Sequence, residues 1–360
     1  SDTMTSMLTA TEPALILAPM EGVTDAPMRA LQGELGAFTH AVSEFLRVSQ
    51  AVLPRNVFLR HVPELRSGSR TPTGLPVQVQ LLGGDPERMA ESAAVAVEAG
   101  ATAIDLNFGC PARTVNSHDG GATLLKFPHR VRQIVSAVRA AVPSGTPVSA
   151  KMRLGWDTID AIDENARMAA EGGAAWLTIH GRTRFAGYAP PIHWDPIGRV
   201  REQLRIPVVA NGDIWTLDDF RRCRDATGCR HFMLGRGALA NPPLAGQVAQ
   251  ELGIACRKPH QEFDWPELLH RLVGWSQRFV PYRSESLVRR LKQWLKLASA
   301  FGSFHGFDAI KRAGTVEELM HGLIEPRLEA SAPPPIDSTD DEVPGTNRLR
   351  ELFASAVDSG

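Results

Sequence analysis

The chain has 360 residues, 43% of them apolar, and its 39 Lys and Arg nearly cancel its 40 Asp and Glu. That length is too great for one small domain and fits a barrel of roughly 250 residues with an accessory domain; the balanced charge leaves any nucleic-acid reading to local patches. Four cysteines without Cys-x-x-Cys spacing (Cys110, Cys223, Cys229, Cys256) argue against a disulfide framework or a zinc site.

A reducing cytosol is the expected setting. No run approaches the ~18 apolar residues of a membrane span, and Ser1 to Glu12 lacks the pattern of a signal peptide. From Leu15 to about Leu252, short β-branched runs alternate with amphipathic Ala-rich segments, the rhythm of βα units on a parallel sheet. Eight strands are predicted: Leu15–Pro19, Thr39–Glu44, Pro76–Leu82, Ala103–Asn107, Pro147–Arg153, Trp176–His180, Ile206–Asn211 and His231–Gly235. Helical patterns between them include Glu87–Glu98, His129–Val142, Ala161–Glu171 and Leu217–Asp225. Eight units match a closed (β/α)8 TIM barrel better than an open doubly wound sheet.

The strand ends carry the functional signal. Met20, Glu44, Gln80, Asn107, Lys151 with Arg153, His180, Asn211 and Gly235-Arg236 all fall at or just past a C-terminal strand end. In barrel enzymes that rim holds the active site. Strands also end in polar residues merely because they reach water, but that accounts poorly for a Lys, a His and several amides on one rim.

Taken in order, Ala18-Pro19-Met20-Glu21-Gly22 makes a turn through which backbone can approach a flat ligand. Asp105 to Pro111 runs a strand into a Gly-Cys-Pro turn. Free Cys is usually a small buried hydrophobe, which suits Cys223 and Cys229. Cys110 lies outside any apolar periodicity, and a thiol there can protonate a carbanion-like carbon. Lys151 on the rim has two readings, a Schiff base as in aldolases or a partner for an electron-rich cofactor edge. Asn211-Gly212-Asp213 and Gly235-Arg236 end the last two strands as Gly-rich turns feeding helices, a common phosphate cradle. No G-x-G-x-x-G follows a strand, and no metal-ligand spacing is present. A phosphate site, a cationic lysine and a row of amides suit flavin mononucleotide (FMN), with Gln80 and Lys151 against the ring.

These motifs resemble the tRNA-dihydrouridine synthases. The match rests on Ala18-Pro19-Met20, Gln80, Asn107-Phe108-Gly109-Cys110-Pro111, Lys151-Met152-Arg153, His180-Gly181-Arg182, Asn211-Gly212-Asp213 and Gly235-Arg236, over about residues 14–325. Ser43-Glu44-Phe45-Leu46-Arg47 and Arg290-Leu291-Lys292-Gln293-Trp294 resemble the C-type branch, which acts at position 16 of the tRNA D loop. The resemblance implies FMN, NADPH as electron donor and reduction of the uracil C5=C6 bond, with hydride passing to C6 and Cys110 protonating C5. It implies cofactor contacts from Pro19, Met20, Glu21, Gln80, Lys151, His180, Asn211, Gly212, Asp213, Gly235 and Arg236. Asn107 would hold the uracil, Arg153 and His180 would complete the pocket, and Arg47, Tyr188, Arg290 and Lys292 would face the tRNA. Asp119 receives no phosphate contact.

Beyond Cys256 the periodicity turns helical from Trp265 to about Leu328, predicting a bundle of about four helices. Between Arg271 and Arg312 nine Lys or Arg face two acids. Leu287, Leu291, Trp294, Leu295 and Ala298 form the expected buried face, with Arg289, Lys292 and Lys296 opposite. A charge stripe is commonly a solvated face, yet so few acids also suit a polyanion. The expected organisation is an extension at 1–13, the barrel at 14–255, a helical tRNA-binding domain at 260–329 and a Pro-, Ser- and Asp-rich tail at 330–360. A monomer without an obligate protein partner is expected. The competing readings are a flavin reductase of a free pyrimidine base, an aldolase using Lys151, and a non-catalytic tRNA-binding protein.

Overall fold

The computed structural model describes residues 7–117, 119–255, 263–279 and 284–324. Cys256, Arg283 and the 330–360 segment lie outside the described residues. Nine parallel strands follow in order: β1 Ala14–Leu17, β2 His40–Val42, β3 Leu46–Arg47, β4 Val77–Leu82, β5 Ile104–Phe108, β6 Val148–Arg153, β7 Leu177–His180, β8 Val208–Asn211 and β9 His231–Leu234. β1 pairs with β9 on one side and β2 on the other, and β2 pairs with β4, which closes an eight-stranded ring. These are the eight predicted strands, with ends shifted by one or two residues. The addition is β3, which lies beside the C-terminal end of β4, Leu46 opposite Leu81 and Arg47 opposite Leu82.

Alternation along each strand separates the two faces of the barrel. Leu15, Leu17, Val77, Val79, Leu106, Ile179 and Phe232 point outward into the main core beneath the helices. Ala14, Ile16, Val42, Trp176, Val209 and Met233 fill one side of the interior. The other side, on β4 to β7, holds Gln78, Gln80, Asp105, Ser149 and Thr178, all nearly inaccessible. Polar groups so deep must find partners within the protein, and those partners shape the site.

Helix starts are written locally. Asp25 accepts from Met28 N–H and caps Ala26–Leu35, which ends at Gly36 in the left-handed conformation. Thr216 and Asp219 form a reciprocal capping box on Leu217–Thr227. No helix among the described residues is long and apolar enough to cross a membrane.

The C-terminal helices are Trp265–Phe279, Ser284–Phe301, the single turn Phe307–Ile310 and Val316–Ile324. Leu287, Leu291, Trp294, Leu295 and Ala298 are buried as expected. Their core takes in Met28, Leu31 and Leu239 from the barrel. Polar ties add to the apolar contact: Trp294 Nε1 donates to Leu239 O at 2.8 Å, Trp275 Nε1 donates to Glu34 at 2.7 Å, and Arg271 pairs with Glu34 at 3.2 Å.

Candidate active site

A cavity of about 790 Å³ opens at the C-terminal end of the barrel, beneath the Ser284–Phe301 helix. Of the eighteen residues predicted for the site, sixteen line it; Arg47 and Lys292 do not. Its volume lies within the range of cofactor and ligand sites.

The β5 end builds the reactive turn. Asn107 Oδ1 accepts from the N–H groups of Gly109 (2.9 Å) and Cys110 (3.0 Å), so its amide nitrogen must face the other way. That nitrogen donates to Gln80 Oε1 at 3.0 Å, and Gln80 Nε2 donates to the buried Asp105 carboxylate at 2.7 Å. Ser149 Oγ donates to the other Asp105 oxygen at 2.5 Å and accepts from Gln78 at 2.7 Å. Two donor chains therefore converge on the Asp105 carboxylate, one from the Cys110 backbone N–H through Asn107 and Gln80 and one from Gln78 through Ser149. The Cys110 carbonyl accepts from Asn116 Nδ2 at 3.1 Å and Ala122 N–H at 3.2 Å. Gly121 permits this approach, since a Cβ there would stand 2.9 Å from the Cys110 oxygen and its φ is +61°. Burial, chiefly, raises the pKa of the Cys110 thiol; Ala112 N–H, Arg153 and Lys151 oppose the shift, while Glu21 adds to it. Near neutrality the group is a thiol, a proton donor.

Cations line the neighbouring wall. Burial lowers Lys151 to about 8, aided by Arg153 and opposed by Asp105 and Cys110. Burial and then Arg153, Lys151, Arg182 and Arg236 push His180 well below the ordinary histidine value, so its ring is neutral. His180 Nε2 is buried with no hydrogen-bond partner among the described residues. Gly212, at φ +117°, keeps that edge open, because a Cβ there would lie 2.6 Å from His180 Cδ2. Gly212 and Asp213 are both left-handed and lie beside Gly235 at the cavity wall, a backbone arrangement suited to an anion. The Asp213 carboxylate is engaged with Arg182 (2.8 Å to Nη1) and with Arg236 (3.3 Å). An unpartnered imidazole edge, a cavity-lining ammonium and an anion cradle together fit a flavin mononucleotide.

Several predicted residues occupy other contexts than expected. Arg153 is 2% exposed and donates to Gly109, Thr183 and Gly187 carbonyls, so it clamps two rim loops from beneath. Arg290 closes on the Asp25 carboxylate and on Val23 O (2.9 Å) rather than standing free for phosphate. Its partner lies 265 residues away in the chain, beyond any local pattern. Lys292 donates to Lys311 O at 3.0 Å and Arg47 to Thr114 O at 3.3 Å, both outside the cavity lining. Asp119 pairs with Arg130 at 2.8 Å. The guanidinium groups of Arg236 and Arg153 lie 4.4 Å and 5.2 Å from the Tyr188 ring.

Sequence reasoning missed Asp105, Ser149 and Gln78 as a network, although alternation from Asn107, Lys151 and Gln80 placed them inward. It also missed Phe185 at the cavity mouth. Cys223 and Cys229 are buried, and burial raises both thiols, Cys229 to about 11.

The dihydrouridine synthase family model matches residues 16–280. The tRNA-dihydrouridine(16) synthase of Pseudomonas putida is 46% identical over 79% of this chain and 87% of its own length. The protein of that name from Ralstonia nicotianae is 44% identical over 87% of this chain and 96% of its own, and that of Neisseria meningitidis serogroup B is 41% identical over 85% and 93%.

Proposed function

The chain belongs to the dihydrouridine synthase family, and we propose that it reduces the C5=C6 bond of uridine 16 in the tRNA D loop, with FMN as cofactor and NADPH as electron donor. The observation that carries this reading is the Cys110 thiol, whose backbone N–H is held by Asn107, in a cavity whose neighbouring wall carries Lys151 and the unpartnered His180 edge.

When bound, the flavin supplies the hydride that adds to uracil C6. Gln80, Lys151 and His180 hold the ring system, and the Asn211–Asp213 and Gly235–Arg236 turns hold the phosphate. Pro19, Met20 and Glu21 close the third side. Asn107 orients the uracil, and Cys110 gives its proton to C5. Arg153 and Lys151 then stabilise the thiolate left behind, as their effect on the Cys110 pKa indicates. The neutral His180 leaves Cys110 as the nearby acid. Arg289, Lys292 and Lys296 provide positive charge for the tRNA backbone beside the cavity.

Mapping dihydrouridine in tRNA from a strain lacking this protein tests the reading. Position 16 should become plain uridine and be restored by the wild-type chain. Loss at another position refutes the position assigned, and free uridine reduced as efficiently as tRNA refutes the polymer substrate. Purified protein should be yellow, with one FMN released on denaturation.

A further inference from the structure

The most exposed large apolar side chain described is Phe185, at 77%, and it stands at the mouth of the catalytic cavity. Its exposure is not slack. Phe185 N–H donates to Trp156 O at 2.8 Å, and Arg184 N–H donates to Gly155 O at 2.9 Å. Ala186 N–H donates to Thr183 Oγ1 at 3.1 Å, while Arg153 grips the carbonyls of Thr183 and Gly187 from below. A turn braced at this many points presents its ring to solvent by construction. Beside it, two cations approach the Trp156 ring, Lys126 at 3.9 Å and Arg184 at 4.8 Å from the ring centre. Neither cation has a carboxylate partner among the described residues. An exposed aromatic next to unneutralised cations suits a nucleic-acid strand: the ring takes a base face and the cations the phosphates.

Drawing one nucleotide into the cavity strips its neighbour of a stacking partner. We infer that Phe185 is a stacking platform for the base adjacent to the reduced uridine, with Lys126 and Arg184 holding the intervening backbone phosphate. The inference rests on tRNA being the substrate, and deepens that reading by naming a second base subsite on the barrel rather than on the C-terminal helices. Tyr188 is engaged differently, with the Arg236 and Arg153 guanidinium groups 4.4 Å and 5.2 Å from its ring, and it is less exposed than Phe185.

The test uses the full-length holoenzyme and unmodified tRNA transcripts carrying 2-aminopurine at position 15 or 17, one per transcript. The wild type and Phe185→Trp should quench one of the two probes on binding, whereas Phe185→Ala should quench neither. Phe185→Ala should lower kcat/KM for tRNA about tenfold, in line with the loss of one base–aromatic stack, with an unchanged salt slope of binding because no counterion contact is removed. Arg184→Ala and Lys126→Ala should each make that slope shallower by about one. So exposed a ring can be removed without opening the core. If Phe185→Ala matches the wild type in both quenching and kcat/KM, the platform is overturned and tRNA reduction stands. If the wild type fails to reduce tRNA at all, the proposed function falls first and the platform with it.

Discussion

Arg290, on the Ser284–Phe301 helix, pairs with Asp25, the residue that caps the first barrel helix through Met28 N–H at 3.1 Å. One carboxylate thus anchors a helix start and also fastens the C-terminal helices to the loop after β1. That loop, with Met20 and Glu21, lines the cavity. Arg290→Ala should cost about 1–2 kcal/mol, the size expected of charge-assisted hydrogen bonds only partly shielded from water. Chemical denaturation measures it. Flavin affinity should fall in the same variant, because the loop loses its outer brace; unchanged stability and affinity would show the pair to be incidental.

The Asp105 carboxylate accepts from Gln80 and Ser149 and thereby sets the direction of every amide up to Cys110. Asp105→Asn brings an NH2 group against one of those donors, so the chain reverses or breaks. Turnover should drop about tenfold or more while FMN remains bound. Combining it with Gln80→Glu restores an acceptor opposite the new donor and should recover part of the rate. An equally impaired double variant would argue that Asp105 contributes only to packing.

Cys110→Ala should keep NADPH-driven flavin reduction but lose product formation by about 10²-fold or more, the usual worth of a positioned general acid. Stopped-flow oxidation of the reduced enzyme by tRNA isolates that step. Cys223→Ala should retain activity at a stability cost of about 1 kcal/mol, since its thiol only fills space in the core. Wild-type product formation by Cys110→Ala would remove the thiol from the reaction.

Lys151, lowered to about 8, is cationic below that pH and neutral above it. The attraction it offers an electron-rich ring or anion should therefore weaken as pH rises through about 8. Flavin dissociation constants measured across that range should show the loss in wild type and a flat, weaker profile in Lys151→Ala. The same slope in both proteins would assign the titration elsewhere.

His40 and His231 sit at the floor of the barrel, and burial lowers them to about 3 and about 4. Between the ordinary histidine value and those values the unfolded chain binds protons that the folded chain does not. Stability therefore falls as pH falls through this window. Each such group contributes a slope of about 1.4 kcal/mol per pH unit. His40→Phe, which keeps an aromatic ring against Trp176, should make the unfolding free energy shallower by that amount between about pH 6 and pH 4. An unaltered slope would mean that His40 is not buried in its neutral form.

The eight strands and the polar residues at their ends were legible in the sequence because both signals are local. Alternation with period two states which residues share a face, and a run of βα units states which ends share a rim. Gln80, Asn107, Cys110, Lys151 and His180 reach one cavity for that reason alone. Local signals carry no information about partners far along the chain. Nothing in the stretch around Arg290 names Asp25, so a residue that reads as a free phosphate contact is instead a tie between the helices and the barrel. Arg153 likewise reads as a substrate contact, yet its carbonyl acceptors come from two other loops. Phe185 reads as an ordinary apolar residue, and only its braced turn leaves it in solvent. Composition and period thus determined the barrel and the chemistry on its rim, while packing between distant segments decided which charges remain available to a substrate, because a hydrogen bond depends on where folding brings its two ends.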